Sequence, residues 1–267
     1  MMPHALRPTR DALVAALAAR RLDRTLTSAL PTHDPQDEYA IGPTGVAALD
    51  ERLGGGLPRG QVSEVVGPRS SGRTSAILRM VAAATARGEI VALVDALDMF
   101  DVDSAVAAGI DLDRLLWIRG HVVANPGLCR DMNQRAMEQA IRALTLVLQA
   151  GNMGLVVFDV AEAPADALRR LPFTTWLRLQ KMVEGRQTMC VLVGDEPMAR
   201  SAAGLTVTLG SEKRGARFQS GPQEGIGQSR FTGRLFDGLN IDTRVIRARV
   251  RAYEDRTASF ATVARYV

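Results

Sequence analysis

The chain has 267 residues, 46% of them hydrophobic but only 4% aromatic, and a formal net charge of +4, which suits one domain with an aliphatic core and small appendages. Cys129 and Cys190 are isolated and His4, His33 and His121 are scattered, which excludes a disulfide framework and a clustered metal site. Apolar runs stop well short of the ~20 residues a spanning helix needs, so a reduced, cytoplasmic protein without membrane contact is expected.

Residues 1–30 begin Arg-rich and acid-poor but lack a secretory core and cleavage site, so an amphipathic helix is favoured over a targeting peptide. Its stripe is Leu13, Val14, Leu17, Ala18 and Leu22 at helical spacing. Residues 31–43, PTHDPQDEYAIGP, read as a linker. Thr44 caps a short helix, Gly45–Leu53, and opens a core domain predicted over 44–203. Within it, strands are predicted at 61–67, 89–96, 115–120, 153–161 and 188–196, with helices at 74–88, about 126–150 and 173–185. Near-continuous apolar strands alternating with helices indicate an α/β fold whose mainly parallel sheet is covered on both faces. Residues 204–267 form a β-rich extension and tail. Its alternating segments 204–210, 216–220 and 239–252 suggest an antiparallel addition on one sheet edge.

The chemistry concentrates in Gly67-Pro68-Arg69-Ser70-Ser71-Gly72-Arg73-Thr74, between a predicted strand and helix. Such a loop cradles phosphate because glycines let backbone N–H groups curl round an anion at a helix N-terminus. Thr74 stands where a hydroxyl holds Mg²⁺, but Arg73 replaces the usual lysine. Arginine keeps the charge while adding length and a planar fork, so the exchange alters a cradle of fixed size. A Gly/Ser-rich turn before a helix is the plainer alternative. Asp159, ending the strand GLVVF, is the candidate metal-orienting acid; a strand-end cap is the alternative. Among the basic residues only Lys181 and Lys213 are lysines, so the charge reflects an arginine-rich composition and is weak ground for DNA binding.

The stretches TGVAALDERLGGGLPRGQVSEVVGPRSSGRTS, VALVDALDMFDVDSAVAAGIDLDRLLWIRG and MGLVVFDV resemble the core of RecA-type recombinases. The closest likeness is to ImuA-type proteins, recombinase-like accessory factors of mutagenic DNA repair. ARRLDRTLTSALP, GPRSSGRTS and GRLFDGLNIDTRVIRARVR carry it, and the likeness extends over most of the chain. It implies a RecA-like P-loop NTPase fold with an antiparallel C-terminal extension.

Position by position, the resemblance implies lost function. Where the family has a catalytic glutamate after Asp-Ala, this chain reads Asp95-Ala96-Leu97. Asp98 is one step along, and a one-residue shift turns a side chain the wrong way. Where the family senses nucleotide with glutamine stands Asp195, an acid that repels a triphosphate. The DNA-contacting loops look short. Arg169, Arg170 and Arg200 are either phosphate contacts or solvated loop arginines.

The resemblance therefore implies a non-catalytic accessory protein of the SOS response and translesion synthesis. It requires no cofactor, and weak ATP/Mg²⁺ or a bound anion is the most the loop is expected to hold. Its implied partners are an ImuB-like polymerase-family protein, RecA and an error-prone DNA polymerase, with DNA met directly or through them. The stripe of Leu13, Leu17 and Leu22 either packs on its own domain or docks on RecA or a second copy. The C-terminal strands and tail are the candidate contact for the ImuB-like protein. Two alternatives are an active ATP-dependent recombinase using Asp98, and a RecA-fold cell-division inhibitor.

Overall fold

A computed structural model describes residues 40–122, 130–210, 217–219, 238–248 and 257–263. The stripe Leu13–Leu22, the linker as far as residue 39, Cys129 and most of the C-terminal tail lie outside these residues.

Two short strands, β1 (Ile41–Gly42) and β2 (Leu57–Pro58), pair around α1 (Ala47–Arg52). There follow β3 (Val62–Val66), α2 (Arg73–Ala86), β4 (Val91–Asp95), α3 (Val102–Ala107) and β5 (Leu115–Arg119). Next come α4 (Arg130–Ala150), β6 (Leu155–Asp159), α5 (Ala165–Arg169), α6 (Phe173–Val183) and β7 (Met189–Gly194). The chain continues with β8 (Leu205–Leu209), β9 (Arg217–Gln219), β10 (Gly238–Ala248) and β11 (Thr257–Val263).

Side-chain alternation dictates the layering. In β6, Leu155 and Val157 join one core cluster, Val156 and Phe158 the other. Strands β4 and β7 divide their residues the same way. Strands apolar on both faces must be covered on both faces. On one side α2 presents Ile77, Met80, Val81 and Ala84 at helical spacing. On the other, α4 presents Met137, Ile141, Leu144 and Leu148, joined by Trp176 and Leu179 of α6.

Among the described residues the main sheet has nine strands in the order β11-β10-β8-β3-β7-β6-β4-β5, with β9 paired to β10. Strands β3 to β8 are mutually parallel, and β9, β10 and β11 add antiparallel pairs. This is the expected α/β architecture of a RecA-like domain. Register aligns Asp95 with Asp159, Asp159 with Val193, and Val66 with Gly194. The carboxyl ends of β3, β4, β6 and β7 therefore share one edge, the usual place for a site in such sheets.

Two expectations need correction. Residues 204–210 are antiparallel on one side only: β8 pairs antiparallel with β10, Val207 opposite Val245, but runs parallel to β3, pairing Ser63 with Leu205 and Val66 with Thr208. Thr44 is not the cap of α1, whose N-cap is Val46. Gly45 takes φ +78°, outside helical space, and the Asp50 carboxylate accepts both the Thr44 N–H (2.7 Å) and its hydroxyl (2.6 Å). Helix α3 was also not anticipated.

Glu64 explains how the end of β7 is held. It is buried in β3, and its Oε1 accepts the Met198 and Ala199 N–H groups, both at 2.7 Å. Its Oε2 accepts the Thr206 hydroxyl at 2.9 Å. Removing the acceptor strands two backbone donors, at ~1–3 kcal/mol each. Glu64→Leu is expected to lower unfolding free energy by about 3 kcal/mol, whereas Glu64→Gln, which keeps one oxygen acceptor, costs about 1 kcal/mol. Urea denaturation measures both; equal losses would show that the acceptor is not what matters.

Candidate phosphate-loop site

The loop after β3 has the backbone of an anion cradle. The Gly67 N–H donates to the Gly194 carbonyl (3.2 Å), and the Ser71 N–H closes a turn onto the Pro68 carbonyl (3.1 Å). Gly67 has no room for a side chain, since a Cβ there would sit 2.3 Å from the Leu209 carbonyl oxygen. Gly72, at φ +90°, is the N-cap of α2, and Ile241 of β10 packs on it. Among the described residues no side chain caps α2. Its first-turn N–H groups therefore have no intrahelical acceptor and point the positive end of the helix dipole at the loop. Pro68, Arg69, Ser70 and Thr74 are exposed, and Ser71 is buried beneath the loop.

Arg73 departs from a cradle's usual state. Its side chain is only 6% exposed, and both arms of the fork are occupied. One nitrogen pairs with Asp195 Oδ1 at the end of β7; the other meets Glu162 Oε1 at 3.3 Å in the loop after β6. Arg69 reaches the second oxygen of Glu162 at 3.0 Å. The chain's own carboxylates thus hold the charge that a phosphate would otherwise meet. With two arginines and two carboxylates the cluster is formally neutral, so it offers an incoming phosphate no unpaired positive charge. Asp195 stood out in the sequence as a repelling acid; its bond to Arg73 did not. Glu162 was missed, its only signal being an acid three residues beyond Asp159.

Asp159 ends β6 beside this triad. Burial pushes its carboxyl up to about 6, with the Ala161 N–H at 3.0 Å acting to lower it, Asp95 to raise it and Arg73 to lower it. Asp95 is buried and engaged: it accepts the Phe100 N–H at 2.8 Å, and the Leu97 N–H and Trp117 Nε1 at 3.3 Å. Leu97 packs on the core cluster beneath α4. Asp98 is held by Arg119 through two bonds, at 2.6 and 2.7 Å, which keep its carboxyl below the usual range. The same Arg119 lies 4.8 Å over the Trp117 ring. Each carboxylate at the end of β4 thus already has a partner.

Arg169, Arg170 and Arg200 come together, but not on the loop. They border a cleft of about 620 Å³ between the segments following β6 and β7. Asp195 lines that cleft as well as holding Arg73.

The Asp159 environment makes stability depend on pH. The folded carboxyl keeps its proton up to about 6, whereas its ordinary value is 3.8. Between these values the folded state binds more protons, so this group's contribution falls as pH rises through the window and stays unfavourable above it. At ~1.36 kcal/mol per pKa unit, Asp159→Asn is expected to stabilise the chain by about 1–3 kcal/mol at pH 8. The gain should shrink toward zero near pH 4. Denaturant midpoints at the two pH values check this, and an equal gain at both would contradict it.

Residues 27–165 match the family model described as RecA N-terminal domain, just over half of the chain and including the loop, Asp159 and Glu162. Protein RecA of Salinispora tropica is 41% identical over 130 residues, 48% of this chain and 33% of the relative. Protein RecA of Leifsonia xyli is 37% identical over 156 residues, 57% of this chain and 39% of the relative. Protein RecA of Mycolicibacterium gilvum is 39% identical over 131 residues, 49% of this chain and 33% of the relative. The matched region thus spans about a third of the length of these curated relatives. With the parallel sheet, the strand–loop–helix cradle and Asp159 at the end of β6, two strands over from β3, the chain belongs to the RecA N-terminal domain family.

Proposed function

We propose that this chain is a non-catalytic member of the family, an ImuA-type accessory protein of DNA-damage-induced mutagenesis and translesion synthesis. It acts by binding partners: an ImuB-like polymerase-family protein, RecA and an error-prone DNA polymerase, with DNA met directly or through them. The observation that carries this reading is the engagement of buried Arg73 by Asp195 and Glu162. A phosphate that entered would have to displace both carboxylates and remain beside them.

The arrangement of acids supports the same reading. Water activation requires a free carboxylate near the transferred phosphoryl group, worth ~10²–10⁴ in rate. Asp95 is committed to backbone donors and Trp117, Asp98 to Arg119, and Leu97 has no ionisable group. An active recombinase using Asp98 would first have to break its two bonds to Arg119. What the loop retains, its uncapped helix start and exposed Thr74, suits weak binding of ATP/Mg²⁺ or a simple anion.

Steady-state assays with Mg-ATP are expected to show no turnover approaching the ~1 s⁻¹ low end of ordinary enzymes. By calorimetry, the double variant Asp195→Asn, Glu162→Gln should bind Mg-ATP at least ~10-fold more tightly than the parent, a change of about 1.4 kcal/mol, and still not hydrolyse it. Parent turnover near ~1 s⁻¹ that Asp159→Ala abolishes would overturn the non-catalytic reading. In parallel, the full chain should co-elute with the ImuB-like protein, and failure to associate with it or with RecA would overturn the accessory role.

A further inference from the structure

The cleft after β6 and β7 is built differently from a nucleic-acid groove. Its floor is apolar: Leu171 and Trp176 are buried, while Leu168 and Met198 are half-buried. Its rim carries three exposed arginines, Arg169 and Arg170 at the end of α5 and Arg200 on the β7–β8 segment. Among the described residues none of the three is in an ion pair, whereas Arg59, Arg69, Arg73, Arg87, Arg114 and Arg119 all are. Asp195 and Glu196 also line the cleft, but Asp195 is held by Arg73. Three arginines against the exposed Glu196 leave the rim net positive.

The geometry points to a docking site for a short acidic segment of a partner protein that carries an apolar anchor residue. Charge complementarity selects an acidic ligand, and the apolar floor selects one with a hydrophobic side chain to bury. The volume of about 620 Å³ lies within the ~300–1,000 Å³ of clefts that enclose small ligands or a few side chains. Single-stranded nucleic acid fits less well. It is held by stacking on exposed aromatic faces, whereas here Trp176 is only 4% exposed and Phe173 is half-buried.

The walls of the cleft are set internally. Ala161 and Ala163 line it on either side of Glu162, and Asp195 lines it opposite, so Arg73 ties the two walls together. Glu64 fixes the Met198 and Ala199 backbone in one of them. The Arg200 carbonyl, in a residue at φ +48°, accepts a bond from Arg247 of β10. The proposal is separate from the reading of the phosphate loop, because a nucleotide-binding chain would hold such a peptide equally well.

A displayed library of random octapeptides selected on the full chain tests it. Enriched sequences should be acidic with one recurrent large apolar residue. Fluorescence anisotropy of a labelled enriched peptide should then show about 3-fold weaker binding for each of Arg169→Gln, Arg170→Gln and Arg200→Gln, and about 10–30-fold for the triple variant, as for rim charges of ~0.7 kcal/mol each. All three sites are exposed, so thermal unfolding should match the parent. No enrichment, basic or uncharged winners, or affinity unchanged in the triple variant would overturn the proposal. Labelled oligo(dT) that binds more tightly than any peptide and loses affinity with the same three substitutions would assign the cleft to nucleic acid.

Discussion

The constraint on which the site depends is that a guanidinium cannot shed its charge and cannot be buried alone. Arg73 opens α2 directly after the loop glycines and is 6% exposed. Anions must therefore surround it whether or not a ligand is bound. A lysine at this position could lengthen, retract or lose its proton. Arginine's planar fork instead favours two fixed partners, and the carboxyl ends of β6 and β7 supply them in Glu162 and Asp195. The end of the loop is thus the centre of an internal ion cluster that joins three strand-end loops.

The neighbouring acids follow from that choice. Asp159 lies within the field of Arg73, but its direct bond is to the Ala161 N–H, and Asp95 and Glu162 add like charge nearby. Burial then dominates, and its carboxyl rises to about 6. At the end of β4 the same economy of partners holds. Asp95 organises the turn into α3 by accepting two backbone donors and the Trp117 indole, and Arg119 is shared between Asp98 and the Trp117 ring. Asp95 and Asp98 are thus connectors of the local fold.

Much of the fold was legible because period and chemistry agreed along the chain. The apolar runs at β4, β6 and β7 belong to strands buried on both faces, and the 3.6-residue spacing of Ile77, Met80, Val81 and Ala84 marks a helix. The misreading of β8 has a physical cause. Its polar threonines, Thr206 and Thr208, alternate as in a half-exposed antiparallel strand, yet Thr206 is buried as the donor to Glu64. A polar residue with a buried partner imitates an exposed one in sequence. The loop and Asp159 were legible from local spacing. The pairing of Arg73 with Glu162 and Asp195 was not, because it joins residues 89 and 122 positions apart.

The internal clamp also bears on how the cleft is maintained. If the loops after β6 and β7 met only through a bound nucleotide, their spacing would exist only in the bound state, and any ligand between them would bear the ordering cost. Here Arg73, Glu162 and Asp195 join the two walls without a nucleotide, and Glu64 anchors the second from beneath. Ordering entropy is met by folding rather than by association, which favours binding to a preformed surface. The arginine that opens α2 at the phosphate loop is the same residue that joins the two walls of the adjacent cleft.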